Sequence, residues 1–445
     1  MSSSHDQQFE VPFGRGTISF KLPPGVEGSV VRSKSMATIS DPEQAARETI
    51  QHPLGTPRLR ELAAAKQSVC IAVTDATRAC PDHLLVPPML AELSEAGVPD
   101  DAITILVAVG THRPSTTEEK IEKLGAEIVA RYNIRDHDAS DSGNLVKVAD
   151  GPGGIPFLLN RIAVEAELLL STGRVEPHQY SGYSGGGKTV AIGCASDDII
   201  AYTHGPAMLD LPGTRLSKLA GNPFQRAVRE VARAANLAFV ANIVMDDDGL
   251  PVAIAYGAPA AVQDHLAQLA SSLYTVTIPR QVDIAIAGVG HPKDANLYQA
   301  SRAASFLQFA PTPVVRRGGV IIIPAECPEG AGEGAGEHRF RAAMAEPGGP
   351  RAIIARARKD GVRPGEQRAF IMARVLEDVA VIVAGAKDPT EVEAIGFIAC
   401  ESVEFALARA VELTGTPAAA LVVPHALLTL PIVTLERDQN EPPFS

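Results

Sequence analysis

One three-part pattern recurs along the chain: a short apolar run, a polar loop, and then a helical segment. The runs VCIAVTDATR (69–78) and AITILVAVGTHR (102–113) both end in polar residues. A third run, AELLLSTGRVEPH, covers residues 166–178. Strands that alternate with helices form mostly parallel sheets, and ligands lie beyond the C-terminal ends of such strands. The sequence therefore predicts an α/β fold.

The length of 445 residues favours two domains. The segment SSLYTVTIPRQ (271–281) reads as a boundary, because a new strand–helix series begins after it with VDIAIAGVG, GGVIIIPAEC and VAVIVAG. We expect an N-terminal α/β domain over 1–278, joined by 419–445, and a C-terminal α/β domain over 279–418. Both would contain mostly parallel sheets flanked by helices, with an active site in the cleft between the domains.

Composition excludes several functional classes. A net charge of −12 argues against nonspecific binding to nucleic acid or to an anionic membrane. The five cysteines are far apart and form no C-x-x-C pair, so neither a disulfide framework nor a structural zinc site is expected. The N-terminus has no secretory pattern and no apolar run is long enough to span a membrane. We expect a cytoplasmic protein.

Several local elements can be predicted from turn and capping residues. EVPFGRGTISFKLP (10–23) predicts a β-hairpin, and Asp246–Gly249 are expected to turn a second hairpin. Residues 115–132 predict one helix, with Ser115 and Glu118 at capping-box spacing. The Gly-rich segment 329–338 is expected to be a lid or active-site loop.

The stretch GYSGGGKT (182–189) matches the P-loop pattern of nucleotide-hydrolysing enzymes. A P-loop follows its strand at once, whereas eleven residues separate Leu170 from Gly182 here. The residues after Lys188 are β-branched and predict a poor first helical turn. An NTPase therefore stays an alternative, and a glycine turn without a ligand is another.

Chemically capable side chains cluster after successive strands and at the opening of the second domain. They are Asp75, Thr77, Arg78, His112, Glu176, His178, Ser184, Lys188 and His204, followed by Lys293, Tyr298, Gln299 and Arg302. Two histidines suit a racemase, which needs an acid/base group on each face of a planar intermediate. Arg78 suits a carboxylate, His204 suits a metal ion, and Lys188 suits a covalently attached cofactor.

Five segments together resemble the nickel-dependent lactate racemase family: TDATRACP, GTHRPST, EPHQYSGYSGGGKTVAIG, YTHGP and PKDANLYQA. They occur in order between about residues 10 and 430. The resemblance implies a 2-hydroxy acid racemase or epimerase. It also implies a nickel-pincer nucleotide, which is pyridinium-3-thioamide-5-thiocarboxylic acid mononucleotide with bound nickel. Cofactor maturation proteins would be its partners.

The resemblance also implies a role for each matching residue. Lys188 would hold the cofactor covalently in the N-terminal, cofactor-binding domain, and His204 would bind nickel. His112 and His178 would be the catalytic acid/base pair, and Arg78, Tyr298 and Gln299 would bind substrate. Cofactor binding would also involve Asp75, Thr77, Gly182, Ser184, Gly185, Gly186 and Gly187. In the implied reaction one histidine takes the hydroxyl proton while the α-hydrogen moves as hydride.

Arg302 departs from the family pattern, because members that act on lactate tend to have lysine there. A guanidinium fork can bind a second carboxylate, which moves the expected substrate from lactate toward malate or another polar 2-hydroxy acid. The sequence leaves two further functions open, a 2-hydroxy acid dehydrogenase or dehydratase that uses the same site, and a non-enzymatic scaffold.

Overall fold

The structure is a computed structural model that describes residues 7–434. The strands in this range are β1 Gln8–Phe13, β2 Gly16–Lys21, β3 Val26–Val30, β4 Val69–Thr74, β5 Ile103–Ala108, β6 Asn133–Asp136, β7 Leu145–Asp150, β8 Pro156–Asn160, β9 Leu168–Arg174, β10 Pro177–His178, β11 Gly182–Tyr183, β12 Leu237–Met245, β13 Pro251–Gly257, β14 Thr275–Ile278, β15 Val282–Ala287, β16 Val315–Pro324, β17 Ala380–Ala384, β18 Ile398–Cys400, β19 Ala418–Val423 and β20 Leu430–Val433.

The helices alternate with these strands as the sequence pattern predicts. They are α1 Pro42–Thr49, α2 Leu59–Leu62, α3 Asp82–Glu95, α4 Thr117–Leu124, α5 Ala126–Arg131, α6 Arg161–Glu165, α7 Lys188–Ala191, α8 Asp197–His204, α9 Pro206–Leu209, α10 Pro223–Ala234, α11 Pro259–Tyr274, α12 Leu297–Ala300, α13 Arg302–Gln308, α14 Ala335–Met344, α15 Gly349–Asp360, α16 Glu366–Leu376, α17 Pro389–Ala394 and α18 Val403–Thr414. No helix between residues 7 and 434 combines the length and apolar character needed to cross a membrane.

The first sheet has six strands in the order β13-β12-β9-β4-β5-β6. Every pair is parallel except β12–β13, the hairpin predicted around Asp246–Gly249. Side chains of β4 alternate between two separate apolar clusters: Ile71 packs in one and Cys70 in the other. Both faces of this sheet are therefore covered, which is typical of parallel sheets.

The second sheet is parallel throughout, in the order β18-β17-β16-β15-β19-β3. The fold class predicted from the sequence is therefore confirmed. Strand pairing differs from the predicted division in two places. Residues 26–30 and 419–423 were expected to join the first domain, yet β3 and β19 pair in the second sheet, where β19 lies between β15 and β3. The apolar run of β19 is buried there. The domain limits themselves stay a prediction, and 435–445 lie outside the described residues.

Two further local predictions have definite outcomes. The hairpin at residues 10–23 is confirmed as β1–β2, with Phe13 opposite Gly16. The helix expected over 115–132 is two helices, because Gly125 adopts φ 90° and ends α4. The capping box uses Thr116 and Glu119 rather than Ser115 and Glu118, so the helix begins one residue later.

Candidate active site

A cavity of about 200 Å³ lies beyond the C-terminal ends of β4, β5 and β9 of the first sheet. Its other wall is formed by residues of α12, α13 and α16, the helices between strands of the second sheet. Most residues predicted for the site line this cavity: Asp75, Arg78, His112, His178, Ser184, Gly185, Lys188, His204, Tyr298, Gln299 and Arg302. Thr77, Gly182, Gly186 and Gly187 were also predicted but do not line it. The functional roles of all these residues stay predictions.

His112 is oriented by a buried carboxylate. Its Nδ1 lies 2.5 Å from Asp75 Oδ2, and Thr77 Oγ1 donates to Asp75 Oδ1 at 2.9 Å. Burial alone would raise the pKa of Asp75, but the hydrogen bond and charge of His112, with the charge of Arg78, lower that pKa below its usual range. An ionised carboxylate can only accept, so Nδ1 of His112 carries hydrogen and Nε2 is left as the basic nitrogen.

In His178 the ring nitrogen Nδ1 accepts hydrogen bonds, whereas in His112 it donates one. Nδ1 of His178 accepts from the backbone N–H groups of Tyr180 and Ser181 at 3.3 and 3.2 Å. Burial, together with the charge of Lys188, lowers the pKa of His178 well below its usual value. The neutral ring therefore carries its hydrogen on Nε2. The two histidines of this cavity consequently differ in which ring nitrogen holds the proton.

His204 has one ring nitrogen committed and one free. Its Nδ1 lies 3.1 Å from the carbonyl oxygen of Ile200 and 2.9 Å from Thr203 Oγ1. A carbonyl only accepts, so Nδ1 is the protonated nitrogen and Nε2 keeps a lone pair. Burial and the charge of Lys188 lower the pKa of His204 to about 3, which keeps the ring neutral as a metal ligand must be.

A metal ion at His204 would need most of its ligands from elsewhere. No group of three or more His, Cys, Asp or Glu side chains in residues 7–434 is arranged to hold a metal ion. Protein metal sites ordinarily use three or four such side chains. Nε2 of His204, whose ring lines the cavity, is therefore a nitrogen donor that a metal ion held by a cofactor could use.

Lys188 has an uncommitted amine. Its Nζ makes no hydrogen bond or ion pair with any described residue, and its side chain lines the cavity. Burial, followed by the charges of Arg78 and Arg302, lowers the pKa of Lys188 to about 7. A large part of this amine is therefore neutral and nucleophilic at neutral pH.

The cavity is rich in cations although the chain as a whole is acidic. Arg78 forms no side-chain hydrogen bond or ion pair within the described range, and Arg302 donates only to Gln299 Oε1, at 3.3 Å. Burial and the charges of Arg78 and Arg368 lower the pKa of Arg302 to about 10, so it remains charged at neutral pH. Such a cavity suits an anionic ligand.

The glycine loop packs mainly against the protein itself. A Cβ at Gly182 would overlap the backbone of Lys218, and one at Gly187 would overlap Cβ of Ala232. The absence of side chains therefore allows the loop to pack tightly under the cavity. Only Ser184 and Gly185 of the glycine segment reach the cavity wall.

The P-loop alternative does not match the local structure. The ribbon β10–β11 lies between β9 and Lys188, whereas a P-loop joins its strand directly to a helix. The helix that Lys188 begins, α7, has only four residues. Asp246, which resembles a Walker B acid in sequence, accepts from backbone N–H groups in the β12–β13 turn.

Two residues of the cavity were not predicted from the sequence: Gln367 and Arg368, in the first turn of α16. Gln367 Nε2 donates to Tyr298 Oη at 3.3 Å, and Arg368 Nη1 donates to Ser305 Oγ at 3.0 Å. An arginine placed among the apolar residues of a buried helix was the signal that could have identified this pair.

Hydrogen bonds that join the part of the chain around the first sheet to the part around the second sheet lie close to the cavity. Lys293 Nζ donates to the carbonyl oxygen of Thr77 at 2.9 Å, and Ser305 Oγ donates to Gln179 Oε1 at 2.7 Å. The segment 329–338, predicted as a lid or active-site loop, packs behind α12, where Leu297 N donates to Gly330 O at 2.9 Å. No residue of that segment lines the cavity.

Comparison with known proteins agrees with this geometry. Residues 13–216 match the lactate racemase N-terminal domain family, and residues 278–430 match the lactate racemase C-terminal domain family. The lactate racemase of Thermoanaerobacterium thermosaccharolyticum is 32% identical over 84% of this chain and 87% of its own length. The lactate racemase of Lactiplantibacillus plantarum is also 32% identical, over 86% of this chain and 90% of its own length.

Solved structures give the same result. The lactate racemase apoprotein from T. thermosaccharolyticum superimposes with a TM-score of 0.86 at 29% identity, covering 96% of this chain and all of that one. A protein from Thermotoga maritima gives 0.70 at 20% identity, over 90% of this chain and all of that one, and shows the shared fold alone. The chain therefore belongs to the lactate racemase family and is an enzyme of the isomerase class.

Proposed function

We propose that this chain racemises a 2-hydroxy acid, with His112 and His178 serving as its two acid/base groups. The observation that carries the proposal is the complementary state of these histidines in one cavity. His112 offers a basic Nε2, whereas His178 offers an Nε2 that carries hydrogen. Racemisation needs a proton acceptor toward one face and a donor toward the other, with the roles exchanged in the reverse direction. His178 would donate as the cation that forms once its ring has taken a second proton, because the N–H of a neutral imidazole is too weak an acid.

Asp75 would act through His112. When Nε2 of His112 takes the hydroxyl proton of the substrate, the ring becomes a cation, and the carboxylate 2.5 Å from Nδ1 stabilises it. No such carboxylate adjoins Nδ1 of His178, where two backbone N–H groups oppose a second proton. His178 protonated on both nitrogens is therefore the less stable acid and the readier donor.

Arg78 would hold the substrate carboxylate. Its guanidinium is uncommitted and lines the cavity. A bidentate contact would fix the carboxylate while the hydroxyl-bearing carbon reacts. Tyr298 and Gln299, from the other side of the cavity, would bind the substrate and exclude water from it.

We also propose that the site takes the nickel-pincer nucleotide of the family. When bound, this cofactor would supply a hydride acceptor, which ordinary side chains lack. His204 would contribute a nitrogen ligand through Nε2, and the neutral amine of Lys188 would form the covalent attachment. Other proteins would have to make and load the cofactor.

The substrate that fits best is malate or another polar 2-hydroxy acid rather than lactate. Arg302 supports this choice because its guanidinium lines the cavity and, among the described residues, donates only to the neutral amide oxygen of Gln299. A monocarboxylate would pair with Arg78 and leave Arg302 unpaired, whereas a dicarboxylate offers a group to each.

A panel of enantiopure 2-hydroxy acids, incubated with cofactor-loaded protein, tests the proposed function. Loss of optical activity without net change of the acid is expected, most rapidly for malate. Accumulation of a 2-keto acid, or loss of water without inversion, would instead indicate a dehydrogenase or a dehydratase.

A further inference from the structure

Arg368 is a buried cation that no described side chain neutralises. It is 5% exposed and lines the cavity beside Arg302. Its Nη1 donates to the neutral hydroxyl of Ser305, and its buried Nε has no hydrogen-bond partner in the part of the chain that the structure describes. Burying a charge without a counter-charge is costly, so an anionic ligand is the partner that this guanidinium lacks.

The position of Arg368 is fixed from two directions. Ser305 Oγ, which accepts from Arg368, also donates to Gln179 Oε1 at 2.7 Å, directly after His178. On the other side, the guanidinium carbon lies 5.8 Å from the centre of the Tyr298 ring. Arg368 is therefore held beside the acid/base loop, and its geometry is preorganised for a ligand.

The number of unpaired cations exceeds what a monocarboxylate needs. Arg78, Arg302 and Arg368 all line the cavity, and none of them has a carboxylate within ion-pair distance among residues 7–434. By contrast, Arg174, which also lines it, lies 3.2 Å from Glu176. A single substrate carboxylate at Arg78 would leave Arg302 and Arg368 without an ion-pair partner among the described residues, although the carboxylate of Glu176 favours the charge of Arg302 from beyond ion-pair distance.

We propose that Arg368 is a specificity-determining residue that binds, together with Arg302, the second carboxylate of a 2-hydroxy dicarboxylate. This inference rests on the proposed function and extends it to a residue in the second half of the chain. Two anionic groups have the required chemistry, the distal carboxylate of the substrate and the phosphate of the cofactor. The residues around Arg368 favour the substrate, because Tyr298 and Arg302 are predicted to bind it.

The test compares Arg368→Gln, Arg368→Lys and wild type as cofactor-loaded proteins. Initial rates of racemisation are measured on enantiopure malate and on enantiopure lactate. Nickel content and the mass added at Lys188 are measured on the same samples. Binding of succinate, a dicarboxylate that cannot react, is followed by calorimetry. Arg374→Gln is the matched control, since Arg374 lies on the same helix and stacks on Phe309 but does not line the cavity.

In Arg368→Gln, kcat/KM for malate should fall by about tenfold to a hundredfold, mainly through KM, because a charged hydrogen bond is lost. The rate on lactate and the nickel content should be unchanged, and succinate binding should weaken in parallel. For Arg368→Lys, kcat/KM for malate should lie between the values for wild type and Arg368→Gln, because lysine keeps the positive charge but lacks the forked guanidinium. Arg374→Gln should affect both substrates equally and weakly.

Four results would overturn the assignment. Equal losses on malate and lactate would make Arg368 a general support of the site. Loss of nickel, or of the mass added at Lys188, would indicate that Arg368 binds the phosphate of the cofactor rather than the substrate. Wild type that racemises lactate but not malate would refute the dicarboxylate while leaving the proposed function intact. Loaded wild type that racemises no 2-hydroxy acid would refute the proposed function as well.

Discussion

Lys188 should react as a free amine at neutral pH, far more readily than an ordinary lysine. Burial and the charges of Arg78 and Arg302 lower its pKa to about 7. Half of the amine is then neutral at pH 7, against about one part in 2,500 for a lysine with the usual pKa near 10.4. The reactive fraction is therefore larger by about a thousandfold, and it falls tenfold per pH unit below the pKa.

Two substitutions should move this pKa in opposite directions. Arg302→Met removes a neighbouring positive charge, so the pKa of Lys188 should rise and labelling at pH 7 should fall. Glu176→Gln removes a negative charge that favours the protonated amine, so the pKa should fall and labelling at pH 6 should rise.

The assay is competitive acylation of the cofactor-free protein with a small reagent between about pH 5 and pH 10. The labelled fraction of the Lys188 peptide is read by mass spectrometry, and the exposed Lys359 serves as the reference for reagent activity. A Lys188 midpoint near 10 would refute the reasoning. A shift of the same sign in both variants would also refute it.

Three other substitutions test parts of the account. Asp75→Asn should slow racemisation per bound nickel by about 10²- to 10⁴-fold, because the histidine it orients loses its carboxylate; an unchanged rate per bound nickel would contradict this. Lys123→Met leaves the fully buried Asp82 without its ion-pair partner, so the free energy of unfolding in urea titrations should fall by about 3–5 kcal/mol. Lys147→Met, the control, breaks the exposed pair with Asp150 and should lower it by less than about 1 kcal/mol. Gly182→Ala should lower the melting temperature more than Gly153→Ala, since both glycines have positive φ but only the first would overlap a backbone carbonyl; equal shifts would contradict this.

Features that depend on local pattern could be predicted from the sequence. The apolar runs of β4 and β5 predicted strands because their residues are buried on both faces. The polar residues after them, such as Asp75 and His112, were expected to meet because parallel strands end at the same edge of a sheet. The structure brings these two into hydrogen-bond contact.

Features that depend on long-range packing could not be predicted. Nothing in the sequence of β3 indicates that it pairs with β19, about 390 residues later. Arg368 stands out as an arginine in a largely apolar helix, but the sequence does not indicate which distant residues it faces, and those residues define the cavity. The glycines at 182 and 187 suggested a ligand, but their neighbours are distant parts of the chain itself.

The most direct test uses the enantiopure 2-hydroxy acid that the panel identifies as the fastest substrate, expected to be malate, with deuterium on C2. It is incubated with cofactor-loaded protein in ordinary water. Chiral chromatography with mass spectrometry then reports both configuration and label. The account predicts formation of the opposite enantiomer with the deuterium retained, because the C2 hydrogen leaves and returns without mixing with water, and Lys188→Ala should abolish the reaction. Unchanged configuration, or an inverted product whose deuterium has exchanged with water, would contradict it.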